Sequence, residues 1–208
     1  AGVIGLSLAW ELSNRGKSVH IIDAKLPGRE ASWAGGGILP DANLQYALDP
    51  LDKLRGLSRQ LHPIWADRLR IETGIDNHFE ANGGVYVARR TGEAAALAGL
   101  LATLPAEGIA VEKLNSQQLR KLEPALDPDQ FLAAYYLSND ALLRNPRHLQ
   151  ALVAACEKNG VTITPHCAVT DIPIDLGHIR SVPSPQGSLR AQQICITAGA
   201  WSAMLLQQ

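Results

Sequence analysis

The sequence predicts an α/β fold in which a nucleotide-binding domain, made of two chain segments, surrounds an inserted α+β domain, and three observations carry this. The opening run AGVIGLSLAWELSNRGKSVHIID joins two glycines to a helical pattern, a short apolar strand and a terminal acid. The middle of the chain mixes helices and strands without a βα alternation. From Arg144 onward a helix followed by short strands returns to the first pattern.

Each element has its own cause. Ile4, Leu8 and Leu12 recur every four residues and Gly16 follows, which predicts a short amphipathic helix with a glycine C-cap. Val19–Asp23 read as a buried strand, and Ala24–Pro40 shift to Gly, Ala, Ser and Pro without periodicity, which reads as a loop. Pro50–Thr73 predict a helix that Pro63 kinks or divides, because proline removes a backbone donor. GGVYVAR from Gly83 predicts a strand, Thr91–Glu107 a helix, SQQLRKLEP a short helix ended by Pro124, and FLAAYYL a strand whose Tyr135 and Tyr136 are packing residues. In NPRHLQALVAACEKNG, Asn145 is the expected cap, Pro146 suits the first turn, and Asn159-Gly160 supply the stop. Short strands are expected at Val161–Thr164, Ala168–Ile172, Ile179–Val182 and Gln193–Thr197. There is no internal repeat.

Composition narrows the class of ligand. The 208 residues are 46% hydrophobic and 19% charged, enough to bury a sizeable core. The 19 Lys+Arg stand against 20 Asp+Glu without long runs of either sign, which argues against nucleic acid and an anionic membrane and for a small molecule. No apolar run approaches the roughly 18 residues of a membrane span, and no secretory signal pattern opens the chain, so a cytoplasmic location is expected. Cys156, Cys167 and Cys195 lack paired CxxC spacing, and the histidines lack HxxxH-type spacing, so no metal site is expected.

A dinucleotide fold places glycines where the chain turns from strand to helix, where backbone approaches a pyrophosphate, and where helix lies close to sheet. Gly2 and Gly5 match the second and third, while the first would fall before Ala1, so the chain is expected to begin inside the motif. Asp23 follows roughly 20 residues later at a strand end, where a carboxylate accepts hydrogen bonds from ribose hydroxyls. After it comes AKLPGREASWAGGGILP rather than a second crossover helix, and a long small-residue loop suits an extended ligand. Ser32 offers a hydroxyl to a phosphate, and Gly35, Gly36 and Gly37 let backbone approach a planar ring; a flexible hinge is the other reading of these three.

AGVIGLSLAWELSNRG, VHIIDA, REASWAGGGILP, NPRHLQALVAACEKNGV and CITAGAWS together resemble the D-amino-acid oxidase-like family of FAD-dependent oxidoreductases, in family order over nearly the whole chain. The EASWAGGGILP loop most resembles the members that oxidise glycine in thiamine biosynthesis. The resemblance implies a Rossmann-like FAD-binding domain in segments 1–43 and 144–208 around an α+β substrate domain, 44–143. It implies that Gly2, Val3, Ile4 and Gly5 surround the FAD pyrophosphate and that Asp23 holds the adenosine ribose. Ala31, Ser32, Gly35, Gly36, Gly37, Ile38 and Leu39 would run from pyrophosphate to isoalloxazine, Val169 would meet the adenine through its backbone, and Ala198, Gly199 and Trp201 would close the site near the flavin. Trp33 stands where the family has a small residue.

The implied reaction moves a hydride from the α-carbon of glycine or a similarly small amine to the flavin, leaving an imine that water hydrolyses, while dioxygen accepts the electrons and gives peroxide. In the family the arginine that clamps the substrate carboxylate lies in the C-terminal half, so no catalytic residue is assigned and this chain alone is expected to be inactive. A D-amino acid dehydrogenase or sarcosine-type oxidase of the same fold stays open as an alternative. So does a non-enzymatic flavin- or nucleotide-binding module.

Overall fold

The computed structural model describes residues 1–175, 178–179 and 181–206. The N-terminal run forms helix α1 (Val3–Asn14), followed by strand β1 (His20–Ile22), the one-turn helix α2 (Ala31–Ala34) and strand β2 (Ile38–Leu39). The long helix α3 (Pro50–Thr73) leads to β3 (Gly84–Ala88), α4 (Thr91–Leu101), β4 (Glu112–Lys113), α5 (Ser116–Leu122), β5 (Ala133–Leu137) and β6 (Ala141–Leu142). Helix α6 (Asn145–Lys158) is followed by β7 (Thr162–Thr164), β8 (Ile174–Asp175), β9 (His178–Ile179), β10 (Val182–Ser184), β11 (Gly187–Leu189) and α7 (Ser202–Leu206). The chain folds into two units, one made of Ala1–Gly36, Asp67–Asn77 and Arg144–Gln208 and the other of Gly37–Ala66 and His78–Leu143. Residues 37–43 thus group with the second unit and 67–77 with the first.

The first unit is Rossmann-like. Its β1 and β7 pair in parallel, His20 opposite Thr162 and Ile22 opposite Thr164, and α1 packs against α6. The interface is apolar: Leu6, Ala9 and Trp10 from α1 meet a unit core that includes Leu149, Leu152, Ala155 and Cys156 of α6, all buried. The packed face of α1 is therefore not the expected stripe, for Ile4 and Leu8 are exposed and the helix turns its Leu6–Trp10 side inward. The helix stop is the expected one: Gly16 takes φ +73 while its N–H donates to Ser13 O and that of Lys17 to Leu12 O. In α6, Arg144 is the N-cap and Asn145 already lies within the helix, so the expected Asn145 cap is not formed.

In the second unit β5 is the centre of a three-stranded antiparallel sheet, ordered β3-β5-β4. Its two faces alternate as strand geometry demands. Tyr86, Tyr135 and Leu137 pack with Leu101 and Ile109 on one side, while Val85, Ala134 and Tyr136 pack with Leu114 and Leu119 on the other. The expected helix over Thr91–Glu107 splits, because Pro105 lacks the donor that would continue it; α4 ends at Leu101 and Leu104–Glu107 make a 3-10 turn closed by Gly108 at φ +71. Pro63 does not divide α3, which runs uninterrupted through it. Here the intact turns on either side outweigh one lost donor.

Three further expectations differ from the structure. Ala24–Pro40 contains α2 and β2 and is not all loop. Residues 168–172 form no strand, since the carbonyl of Asp23, just past the end of β1, is already taken by the Cys167 N–H at 2.8 Å. Residues 193–197 form none either, and among the described residues no strand pairs with them. The Ile179–Val182 strand is replaced by the ends of β9 and β10, and its Arg180 lies outside the described residues. Among the described residues no helix is long and apolar enough to cross a membrane.

Candidate functional site

The first-turn amides of a helix have no intrahelical acceptor, and the helix dipole favours an anion at that end. At the start of α1 the N-cap is Gly2, which has no side chain to cap with, and the Val3 N–H instead donates to Ser32 Oγ at 3.0 Å. A Cβ on Gly2 would stand 3.0 Å from the same Oγ, and one on Gly5 would stand 2.6 Å from Thr197 Oγ1. Both glycines thus sit where another part of the chain presses on the helix start. A small cavity of about 130 Å³ opens beside the first residue of α1, lined by Val3, Ala31, Ser32, Asn145, His148 and Leu149. His148 is buried in its wall with Nδ1 3.0 Å from Asn77 Nδ2, and Asn145 Nδ2 is the atom that a Cβ on Gly35 would strike.

Asp23 leaves β1 with its N–H bonded to Thr164 O. Its Oδ1 accepts the Lys25 N–H at 2.8 Å and its Oδ2 lies against the backbone nitrogen of Ala1, so that oxygen is beside the glycine turn. The Gly28 N–H donates to Ala1 O at 2.8 Å and draws the following loop back to the same place. Half-buried Val169 follows Cys167, the residue bonded to Asp23 O. Ala198 caps the 3-10 turn Gly199–Trp201, immediately after the Thr197 that faces Gly5, with Gly199 at φ +59 and Trp201 exposed. Trp33 lies under the Arg29 guanidinium, 3.9 Å from its ring centroid, a cation–π contact that holds the indole in place.

In the second unit, Gly37 has φ +75 and its carbonyl accepts the Leu143 N–H at 2.9 Å. Ile38 and Leu39 form β2, opposite Leu142 and Ala141 of β6. Gly36, in the first unit, has nothing within 4 Å of where a Cβ would be. A wider open groove of about 500 Å³ in the second unit runs between Gln45–Leu48 and Thr103–Glu107 and contains none of the residues predicted from the sequence.

Direct contacts therefore bring together Gly2, Val3 and Ser32, and place Asp23 beside Ala1 at the same turn. Gly5 meets the segment that leads into the Ala198–Trp201 turn through Thr197, and Val169 lies two residues past Cys167, whose N–H is bonded to Asp23 O. The exposed side chain of Ile4 makes no part of this, and Gly37, Ile38 and Leu39 group with the other unit. Sequence reasoning passed over Thr197, Asn145, His148 and Asn77. The signal for two of them was available: Asn145, His148 and Leu149 fall at i, i+3 and i+4 on one face of α6. The arrangement offers amides, a hydroxyl and close backbone, which suits holding an anionic diphosphate. Cys156 is buried in the core, where burial and then the nearby Glu72 and Glu157 carboxylates push its thiol up to about 12.

The chain is similar to known proteins over nearly all of its length. A family model described as FAD dependent oxidoreductase matches residues 1–208. A glycine oxidase of Pseudomonas putida is 31% identical over 207 residues, covering 99% of this chain and 55% of the relative. A glycine oxidase of Geobacillus kaustophilus is 30% identical over 205 residues, with 98% and 54% covered. The crystal structure of a glycine oxidase from Bacillus cereus superposes with a TM-score of 0.89 at 29% identity, over 99% of this chain and 55% of that one. The chain thus spans about half the length of the relatives it matches.

Proposed function

The chain belongs to the D-amino-acid oxidase-type family of FAD dependent oxidoreductases, and from that premise we propose that the intact protein oxidises glycine or a similarly small amino acid or amine with dioxygen as electron acceptor. The observation that carries the reading is the start of α1, where Gly2, Gly5 and Ser32 leave no room for side chains and present backbone to an anion. That donor set fits the FAD diphosphate. Ile4 and Gly5 hold it through first-turn amides, while the Val3 N–H orients the Ser32 hydroxyl, which adds its own donor. Asp23 accepts the ribose hydroxyls at the end of β1, and Val169 offers its backbone to the adenine. Gly35, Gly36, Gly37, Ile38 and Leu39 carry backbone along the flavin ring, and the Ala198–Trp201 turn excludes water from it. FAD, when bound, supplies hydride acceptance from the α-carbon and passes the electrons to dioxygen. In this reading segments 1–43 and 144–208 make the cofactor domain and 44–143 the substrate domain.

The choice of glycine, and a place in thiamine biosynthesis, rest on the EASWAGGGILP loop and on the two glycine oxidases at about 30% identity. Titration of the flavin-free intact protein with FAD, followed by anaerobic addition of glycine, tests the reading. Stoichiometric binding and bleaching of the yellow band are expected. Bleaching by D-proline and not by glycine would move the substrate to the other amine oxidases of the fold, and binding without bleaching by any amine would indicate a flavin-binding module.

A further inference from the structure

The two-pair ladder between β2 and β6 is too short to hold itself, since strands usually run about five residues before they are stable. Yet it carries Ile38 and Leu39, which the proposed function sets along the flavin. Both ends of the ladder are closed by other bonds. At one end the Leu143 N–H donates to Gly37 O. At the other, 99 residues apart in sequence, the Asp41 N–H donates to Asp140 Oδ1 at 2.8 Å. The Asp41 side chain adds to the same closure, its Oδ2 accepting from Asn139 Nδ2 at 3.0 Å.

Asp140 is 2% exposed, and among the described residues no cation forms an ion pair with it. A buried carboxylate in that position is stable only if donors satisfy it. The second donor is the Tyr86 hydroxyl of β3, 2.6 Å from Oδ2, a charge-assisted bond. Burial first, and then this bond and the carboxylate's charge, push the Tyr86 hydroxyl up to about 12, so it stays a donor at neutral pH. The surroundings are shaped for the carboxylate: a Cβ on Gly84 would lie 2.7 Å from Oδ2, and the Gly83 N–H donates to the Asp140 carbonyl.

We propose that Asp140 is the positioning residue of the flavin-facing strand: its carboxylate, oriented by the Tyr86 hydroxyl, clamps the Asp41 amide and fixes the backbone of Gly37–Asp41 against β6. Asp140 touches neither cofactor nor substrate. It links the sheet of the second unit to the segment whose backbone must lie flat along the ring, and it rests on the proposed reading of that segment.

Amide hydrogen exchange of the intact protein, with and without FAD, tests the clamp in Tyr86→Phe and Asp140→Asn, with the visible circular dichroism of bound flavin as a second readout. In the parent, FAD should slow exchange in Gly37–Asp41. Tyr86→Phe should quicken exchange there by about tenfold, the loss of one hydrogen bond to a charged group, and by more than it quickens exchange in the β5 ladder. It should also flatten the flavin dichroism. Asp140→Asn keeps an acceptor for the Asp41 amide and should fall between Tyr86→Phe and the parent. If FAD protects Gly37–Asp41 in the parent but both variants leave exchange and dichroism unchanged, Asp140 is not a clamp and the site reading stands. If FAD binds without protecting that segment, the site reading is wrong and the clamp falls with it.

Discussion

At the scale of single residues, the glycines divide into those whose Cβ position another part of the chain closes and those before which the space is open. Gly5 is of the first kind. An added methyl would press on Thr197 Oγ1, so Gly5→Ala should destabilise by about 1–3 kcal/mol, and Thr197→Ala in the same chain should recover most of it. Denaturant unfolding of the single and double variants checks this, and simple additivity would contradict the contact. Gly36 is of the second kind, because the space before it is open. Gly36→Val should therefore leave the unfolding midpoint near that of the parent and sharply reduce flavin content; a variant with full flavin would make these glycines a hinge. Asp23 has one carboxylate oxygen beside Ala1 and the other on the Lys25 amide, and Asp23→Ala should weaken FAD by about ten- to a hundredfold through loss of a charge-assisted acceptor. An unchanged dissociation constant, read by flavin fluorescence, would remove Asp23 from the site.

At the scale of elements, α6 and β5 were legible because their patterns are strong and their partners local: the stop at Asn159-Gly160 and the alternation of Tyr135 and Tyr136 need little tertiary context. Two other elements were illegible for a physical reason. Whether 168–172 and 193–197 become strands depends on a neighbouring edge with free amides and carbonyls, and no periodicity within the segment carries that information. The packed face of α1 was hidden likewise, since Ile4 and Leu6 are equally apolar and only the position of α6 selects between them. The candidate site was legible where glycines and a strand-end acid mark it, and illegible at Thr197, whose relevance is its distance from Gly5. Helix α3 offers a test of its own surroundings. Burial, and then the charge of Arg59, hold His62 below its ordinary value of 6.5. The folded state therefore binds that proton less readily than the unfolded state, so the stability His62 contributes is complete above its ordinary value and is lost as pH falls through it toward the lowered one. His62→Gln should flatten the decline in stability between about pH 7 and 5, and parallel curves for parent and variant would contradict this burial.

At the scale of the whole molecule, a Rossmann-like unit and a mixed α/β unit share one chain, and the family match runs through both. In the proposed function the glycine turn, Ser32 and Asp23 would hold the anionic dinucleotide, and the amine accepted would decide what reaction follows. The most direct test is peroxide release by the intact, FAD-loaded protein from glycine, sarcosine, D-alanine and D-proline, with and without oxygen. Oxygen-dependent peroxide is expected, with glycine or the smallest of these amines as the best substrate. Reduction of the flavin by an amine with no peroxide in air would contradict it and make the protein a dehydrogenase.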